Sequence, residues 1–428
     1  MSLNLNDLTI LRYAHIYRER VSGGMEQYLH QLNSGLLARA NVTILQTHLV
    51  PRCQPTRVEI QQVGSGRLVW LPIYHHKQDW SRRSLLNGLM APLQYSRIEF
   101  GAKDARKYGR GSVRILLEHL QHRDVIWSDA VIEMLETHNV SALFLHWLSY
   151  DVAQVIAAAQ RRRIPYGIIN HFDNRRLDAP RLRGWLRGAS RIGGVSTRDV
   201  PSCLRHAFVN LSDAVDVDYF APARAARLDR PGKFLILLPA RVTEGKGHRD
   251  LLAAVRTLNQ ECPGIVVAFA GSVEAGAEPL VAQLESESAA ASEPIQLLWL
   301  GQLGASELRD WYAVSDVVVL PSFQEGLGRV LLEAQAMARP VIGYNTGGIP
   351  EALIDGTTGL LVPLGDSVRL AAAIKSLLQS PIKRLSMGAE GRRFVSEHFS
   401  ISALISRHEQ FCGDVMQART QPAPCSTA

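Results

Sequence analysis

The segment QEGLGRVLLE places two carboxylates, Glu325 and Glu333, on either side of a Gly-Leu-Gly turn. The β-branched run DVVVLPS before it predicts a buried parallel strand, and RVLLEAQAMA after it predicts a helix. The first backbone amides of such a helix, those of Leu327, Gly328 and Arg329, can bind phosphate or sugar hydroxyls, and carboxylates accept hydrogen bonds from hydroxyls. The pattern indicates a ligand site at a strand-to-helix turn, where doubly wound sheets bind their ligands.

The same ten residues also have a purely structural interpretation. Glu325 can be a first-turn acid that the helix dipole favours, and Arg329 can form a surface pair with Glu333 four residues later. Glu333 is the only charge between Val330 and Ala338 and needs a partner on that apolar helix. A ribose diol and Arg329 would both serve, so the two interpretations stay open at this point.

Two cations occupy a second predicted turn, PARVTEGKGH. Arg241 closes a strand and Lys246 precedes the next helix. A guanidinium fork, an ammonium and exposed helix amides together would bind a pyrophosphate. The alternative is a charged surface turn in which Glu244 neutralises one of the cations.

Two positions in the first half of the chain resemble these turns. Gly23 and Gly24, in SGGMEQ, would let the backbone approach a ligand at a helix start. His171, in IINHFD, ends a predicted strand and could donate to a ligand oxygen. The alternatives are a plain loop with Glu26 as first-turn acid, and a structural histidine.

Metal and nicotinamide sites are not expected. Asp216 and Asp218 form an Asp-x-Asp pair, but they do not follow an apolar strand. Gly326 and Gly328 could begin a dinucleotide fingerprint, but Leu331 stands in the place of its third glycine. The five cysteines are scattered without Cys-x-x-Cys spacing, which argues against a zinc site and a disulfide scaffold.

The elements that must position these residues form two halves of alternating strands and helices. The fold class is therefore α/β, with two Rossmann-like, doubly wound parallel sheets. We predict a first domain over 1–212, a linker over 213–232 and a second domain over 233–395. A helix over 396–418 is predicted to return to the first domain, and 419–428 to be a disordered tail.

The net charge of +7 is unevenly distributed over the 428 residues. The first 225 residues carry 29 Lys and Arg against 19 Asp and Glu, most densely over 77–123. This charge fits an anionic membrane surface or a phosphorylated substrate, or a solvated arginine-rich face. No nucleic-acid partner is expected, because no binding motif accompanies the charge. Without a signal-peptide core or a long apolar run, we expect a cytoplasmic protein, with the inner membrane face as a candidate partner.

The segment VVLPSFQEGLGRVLLEAQAMARPVIGYNTGGIPEALIDGTTGLLVP resembles the signature of GT-B glycosyltransferases of family 4, retaining enzymes that use nucleotide sugars. The resemblance rests on the Glu-x7-Glu pair after a Pro-Ser strand end, the Gly-Gly-x-Pro-Glu turn and the Gly-Leu-Leu-Val-Pro strand. It extends to PARVTEGKG, VDVDYFAP and SGGMEQYLHQL. It covers the second half well and the first half only at scattered points.

This resemblance implies two domains that face across a cleft, and sugar transfer from a nucleoside-diphosphate sugar without a metal or other cofactor. It implies that Glu325 contacts hydroxyls of the transferred sugar. The turn Gly326, Leu327 and Gly328 would offer backbone amides to sugar and phosphate, and Glu333 would bind the ribose.

The other candidate residues also receive roles from the resemblance. Arg241 and Lys246 would neutralise the pyrophosphate as the nucleoside diphosphate leaves. The turn of Gly23 and Gly24 would face it from the opposite domain, and His171 is similar to a strand-end histidine near the reacting centre.

The chain departs from the family pattern at three places. Asp213 and Ala214 stand where Asn-Gly is usual, Ala240 replaces a glycine, and residues 64–125 match no motif. We assign acceptor choice to the last segment and expect a glycan or lipid-linked acceptor, in bacterial surface polysaccharide or glycolipid synthesis. The alternatives are a catalytically silent sugar-nucleotide-binding subunit and a GT-B-like epimerase or phosphorylase.

Overall fold

The computed structural model describes residues 7–14, 24–51, 59–77, 124–127, 135, 139–146, 152–171, 174–178, 182–225, 228–229, 234–259, 261–291 and 295–418. Contacts divide the chain into two compact units. The first comprises residues 1–211 with 405–428, and the second comprises residues 212–404. The segment that the sequence predicted to be a linker, 213–232, thus falls in the second unit.

The strands of the first unit are β1 (Thr9–Tyr13), β2 (Thr43–Pro51), β3 (Glu59–Val63), β4 (Gly66–Lys77), β5 (Asp124–Trp127), β6 (Ala142–Leu145), β7 (Tyr166–Asn170), β8 (Arg191–Gly194) and β9 (Phe208–Asn210). They form one sheet in the order β3-β4-β2-β1-β6-β7-β8-β9, with β5 also paired to β4. The strand order reverses at β1, between β2 and β6, so the carboxyl ends of β1 and β6 flank the switch point of a doubly wound sheet.

This sheet is mixed, whereas the sequence predicted a parallel one. β4 pairs antiparallel with both β3 and β5, and the other pairings among the described strands are parallel. Only residues 64 and 65 join β3 to β4, so that Val63 pairs with Gly66. A two-residue turn can connect antiparallel strands only, because parallel neighbours need a longer crossover.

Helices cover the buried strands of the first unit. They span Gly24–Arg39, Val152–Arg161 and Arg183–Gly188, and the C-terminal helix, Ile401–Gln417, belongs to this unit from Ile405 onward. Phe411 of the C-terminal helix packs on Phe144 of β6, with 6.0 Å between ring centroids. β6 and β7 are buried along their whole lengths, and all of their residues except Asn170 are apolar, which provides a continuous core.

The strands of the second unit are β10 (Phe234–Leu238), β11 (Ile265–Ala270), β12 (Gln296–Gly301), β13 (Val317–Leu320), β14 (Val341–Tyr344) and β15 (Gly359–Val362). They pair in parallel in the order β12-β11-β10-β13-β14-β15. This is the order of a doubly wound dinucleotide-type sheet, and its switch point lies between β10 and β13. The carboxyl ends of those two strands are therefore where a ligand is expected.

Helices of the second unit cover both faces of this sheet. Their ranges are His248–Asn259, Glu278–Ala289, Ala305–Val314, Arg329–Ala336, Ile349–Ala352, Ser367–Leu378 and Pro381–His398. β10, β13 and β14 are buried along their whole lengths, as expected for central parallel strands. Among the described helices of the chain, none combines the length and apolar character needed to span a bilayer.

The first and last segments of the second unit are hydrogen-bonded to each other. The amide of Val215 donates to the carbonyl of Phe399 at 2.8 Å, and Val215 forms a β-bridge with Ser400. Arg392 donates from its guanidinium to the carbonyls of Phe220 and Ala336. Because Ser400 is extended for this bridge, the helix predicted over 396–418 instead begins at Ile401, after a separate helix that ends at His398.

Candidate functional site

Three turns converge at the carboxyl ends of β10, β13 and β14. The amide of Phe323 donates to the carbonyl of Gly245 at 3.0 Å, which joins the turn after β13 to the turn after β10. The hydroxyl of Thr346 donates to the carbonyl of Phe323 at 3.2 Å, and the amide of Gly348 donates to the carbonyl of Glu325 at 3.3 Å. The turns therefore hold one another in place at the switch point of the second sheet.

Lys246 and Glu325 meet within these turns, although the sequence placed them in two separate motifs. The Nζ atom of Lys246 lies 2.5 Å from Oε1 of Glu325, and the side chains are 21% and 18% exposed. Both are thus partly desolvated yet still accessible. The ammonium has three donors, so Lys246 can contact Glu325 and a phosphate oxygen together. The free oxygen of Glu325 can accept a hydrogen bond from a sugar hydroxyl.

The turn of Gly326, Leu327 and Gly328 leads directly into the helix Arg329–Ala336. Gly328 precedes the helix with a left-handed backbone (φ 85°, ψ 56°), which a glycine adopts without strain. No side chain in the described part of the chain caps this helix start. The amide of Leu331 donates to the carbonyl of Gly328 at 2.9 Å. The amides of Arg329 and Val330 precede the hydrogen bonds of the helix, so they can donate to an anionic ligand. Leu327 is buried and anchors the turn to the core.

Gly348 makes the close approach of two turns possible. A Cβ atom at this position would lie 2.0 Å from the carbonyl oxygen of Gly326. We expect Gly348→Ala to displace the Glu325 turn and to lower the free energy of unfolding by about 1–3 kcal/mol, as overpacked sites do. Urea denaturation measures this change. Gly245→Ala is the matched control, because nothing lies within 4 Å of its added Cβ, and an equal loss in both variants would contradict the steric explanation.

Among the residues that the structure describes, Glu333 has two hydrogen-bond partners. Oε2 accepts a hydrogen bond from the Tyr312 hydroxyl at 3.0 Å, and Oε1 accepts one from Nε of Arg329 at 3.2 Å. Burial raises the pKa of Glu333, and the charge and hydrogen bond of Arg329 oppose that rise. Of the two partners that the sequence left open, Arg329 is therefore present, and each carboxylate oxygen still has one unused lone pair. Tyr312 was missed, because an aromatic residue on a distant helix gives no sequence signal for this contact.

Arg241 lies near the start of the turn after β10 but on the surface. Its Nη1 atom is 3.0 Å from Oε1 of Glu274, and its side chain is 63% exposed. The structure thus places Arg241 in an exposed ion pair rather than in the contact between Lys246 and Glu325. Such exposed pairs are weak, about 0–1 kcal/mol, so a ligand phosphate can replace Glu274.

His171 lies in the first unit, at the carboxyl end of β7, in a row of basic side chains. Nη1 of Arg12, on β1, is 3.2 Å from Nε2 of His146, which follows β6. Nδ1 of His146 is 3.1 Å from Nε2 of His171, and their rings stack. Tyr28 packs in a T-shaped arrangement with both rings and is hydrogen-bonded to His408 of the C-terminal helix.

The chemistry of arginine fixes the direction of these hydrogen bonds. A guanidinium can only donate, so Nε2 of His146 must accept. Neutral His146 then carries its proton on Nδ1 and donates it to Nε2 of His171. His171 in turn keeps its proton on Nδ1, which is the donor it can offer to a ligand. Burial lowers the pKa of His171 to about 3 and the pKa of His146 well below its ordinary value, so both rings are neutral near pH 7.

The buried histidines make stability depend on pH. Burial also lowers the pKa of His408 well below its ordinary value, whereas unfolded histidine titrates near 6.5. Below that pH the unfolded state binds more protons, so the free energy of unfolding falls as the pH falls. We expect His408→Gln to flatten this slope by up to about 1.4 kcal/mol per pH unit, measured by urea denaturation between pH 5 and 7. Exposed His206→Gln is the control, and an unchanged slope in His408→Gln would contradict the assignment.

Other predicted positions are only partly described. Gly24 begins the helix Gly24–Arg39, and Gly23 lies outside the described residues. Of the basic segment 77–123, only Lys77 is described, and the predicted tail 419–428 lies outside. His146 was missed, although it ends an apolar strand as His171 does. Within the described residues, no three or more His, Cys, Asp or Glu side chains are grouped as a metal site requires.

Residues 222–394 match the family described as glycosyl transferases group 1. The D-inositol 3-phosphate glycosyltransferase of Frankia alni is 34% identical over 281 residues, which cover 58% of this chain and 68% of that protein. The protein of the same name from Pseudarthrobacter chlorophenolicus is 35% identical over 185 residues, 41% of this chain. That match spans only 42% of the Pseudarthrobacter protein.

Solved structures share the architecture at low sequence identity. The Anabaena protein HepE, in complex with UDP and glucose, has a TM-score of 0.63 and 17% identity over 95% of this chain and 99% of its own. Sucrose-phosphate synthase from Thermosynechococcus elongatus has a TM-score of 0.66 and 18% identity over 96% and 100%. These likenesses confirm the predicted GT-B fold. Because this chain is 34% identical to the Frankia alni protein over 68% of that protein, and residues 222–394 match the family itself, the chain belongs to the glycosyl transferases group 1.

Proposed function

We propose that this protein transfers a sugar from a nucleoside-diphosphate sugar to an acceptor hydroxyl, with retention of configuration. The observation that carries the proposal is the Lys246–Glu325 pair, 2.5 Å apart at the switch point of the second sheet and beside an uncapped helix start. A cation, free amides and a carboxylate in one place match a diphosphate joined to a sugar. The names of relatives support such a donor, among them a GDP-mannose-dependent mannosyltransferase of Mycolicibacterium smegmatis.

In the proposed reaction, the bond between the anomeric carbon and the diphosphate oxygen breaks, and a bond to the acceptor oxygen forms. Lys246 and the helix amides stabilise the negative charge that develops on the leaving diphosphate. Glu325 accepts a hydrogen bond from the transferred sugar and Glu333 from the ribose. The acceptor proton leaves with the diphosphate, in a front-face route. Arg241 serves as a second, exchangeable cation. His171 and the Gly23–Gly24 turn keep the roles that the family resemblance gives them.

The acceptor is proposed more broadly, as a glycan or a lipid-linked hydroxyl compound. Two relatives are named for D-inositol 3-phosphate. A phosphorylated hydroxyl compound is therefore one of the acceptors to try in the transfer assay. The basic segment 77–123 supports binding to an anionic membrane surface. Flotation with phosphatidylglycerol vesicles at low and high salt tests this part, and no salt-reversible binding would remove it.

A donor panel tests the function itself. UDP-, GDP-, ADP- and CMP-sugars are incubated with the full chain, with thermal shift and slow hydrolysis as readouts. We expect one nucleotide to stabilise the protein and its sugar to be released or transferred, equally well in EDTA because no metal takes part. Binding without turnover, with every acceptor tried, would favour the silent subunit. Loss of turnover in EDTA, reversed by added Mg²⁺, would contradict the metal-independent mechanism.

A further inference from the structure

Glu333 belongs to a row of polar side chains that begins with Asp213. Nη1 of Arg329 lies 4.0 Å from Oδ1 of Asp213, and Nε of the same guanidinium donates to Glu333 at 3.2 Å. Tyr312 approaches the other oxygen of Glu333 from the helix Ala305–Val314. The side chains of Asp213, Arg329 and Glu333 are only 19%, 16% and 9% exposed. All four residues lie in the second unit.

This arrangement differs from a surface pair along one helix. Arg329 receives opposing charges from two parts of the chain, because Asp213 lies 116 positions before it. Nη1 has no hydrogen-bond acceptor among the described residues, so the contribution of Asp213 is its charge. Oδ1 of Asp213 is itself held by the amide of Ala214 at 2.9 Å. The aspartate that departs from the usual Asn-Gly pattern is thus the residue that faces Arg329.

The same geometry restricts the carboxylate of Glu333. One donor on each oxygen fixes the plane of the group, which neither donor could do alone. Each oxygen retains one lone pair, and the two together match the adjacent hydroxyls of a ribose. A planar guanidinium loses less freedom in such a contact than a lysine would, because its donors are already arranged.

We propose that Arg329 is a positioning residue, held by Asp213, that fixes the Glu333 carboxylate for the two hydroxyls of a nucleotide ribose. The inference rests on the proposed function, in which Glu333 binds the ribose. It assigns Arg329 no contact with the donor. Its effect must therefore appear in the recognition of ribose hydroxyls and not in the binding of phosphate.

Paired nucleotides separate this role from a purely structural one. Isothermal titration calorimetry measures the binding of three ribose/deoxyribose pairs to the full chain: UDP with dUDP, GDP with dGDP, and ADP with dADP. For the nucleotide that binds, we expect the ribose form to bind about tenfold or more tighter than the deoxy form, the usual strength of a hydrogen bond to a charged group. In Arg329→Met this preference should fall below threefold, with deoxynucleotide affinity unchanged. Arg329→Lys should retain an intermediate preference for the ribose form. It also provides a second variant to measure if the Met variant does not fold.

The controls distinguish the two proposals. Arg369→Met removes an exposed arginine of the same unit and should leave the preference intact. If the wild type prefers ribose and both Arg329 variants keep the full preference, the positioning role is wrong while the proposed function stands. Equal loss of ribose and deoxy binding would also overturn it, because that result indicates a structural role. If the wild type binds none of the three pairs, the proposed function fails and this inference fails with it.

Discussion

Replacing Lys246 with Met is expected to lower the rate of sugar transfer by about 10²- to 10³-fold, the usual cost of losing one preorganised donor to a developing negative charge. The side chain stands at the switch point of the second sheet and is held by Glu325 at 2.5 Å. Its charge is partly shielded from water, and in the proposed mechanism a shielded charge would stabilise the leaving diphosphate more strongly than an exposed lysine would. Steady-state kinetics with the donor found in the panel measure the change.

Two further variants separate catalysis from stability. Lys246→Met leaves the partly buried Glu325 without its partner, whereas Lys246→Met with Glu325→Gln removes both charges. The double variant should regain stability in urea denaturation but not transfer activity. Lys375→Met removes a surface lysine that pairs with Glu261 and should leave the rate unchanged. Near-normal turnover in Lys246→Met, or recovery of turnover in the double variant, would contradict the catalytic assignment.

The strands of the second unit could be located from sequence alone. Central parallel strands are buried on both faces, so they appear as uninterrupted apolar runs such as KFLILLPARV and DVVVLPS. Their order in the sheet could not be read in this way. Lys246 and Glu325 are 79 positions apart, and only the pairing of β10 with β13 brings their turns together. The motif resemblance gave both residues a role, but not the contact between them.

Polar partners inside each unit were harder to predict than the motif residues. Arg12 is fully buried in β1, and its partner His146 lies 134 positions later, at the end of β6. The sequence shows that a charged residue lies within an apolar strand, but it does not identify the residue that will pair with it. The same limit applies to Tyr312 and Asp213, which reach the Glu333 helix from other parts of the second unit. The sequence indicated that Glu333 needs a partner, and the fold gives it two among the described residues, Arg329 and Tyr312.

Removing the imidazole of His171 is the second change with a large expected effect. The family resemblance gives His171 a role near the reacting centre. We expect neutral His171 to donate from Nδ1 in that role, because Arg12 and His146 fix this tautomer. We expect His171→Ala to lower kcat by about 10²-fold or more, as the loss of a single oriented donor does. The KM for the donor should change less than threefold, because Lys246, Glu325 and Glu333 all belong to the second unit. His206→Ala, at an exposed histidine, is the matched control.

The pH dependence of kcat tests the protonation state on which this role depends. Burial lowers the pKa of His171 to about 3, so the ring stays neutral from pH 8 down to pH 5 and kcat should show no inflection near 6.5 that depends on His171. His146→Gln keeps a side chain that can donate to Nε2 of His171, so it should retain much of the rate, whereas His146→Phe cannot donate and should not. An inflection near pH 6.5 that disappears in His171→Ala would show that the ring titrates, and that it acts as a base rather than as a fixed neutral donor.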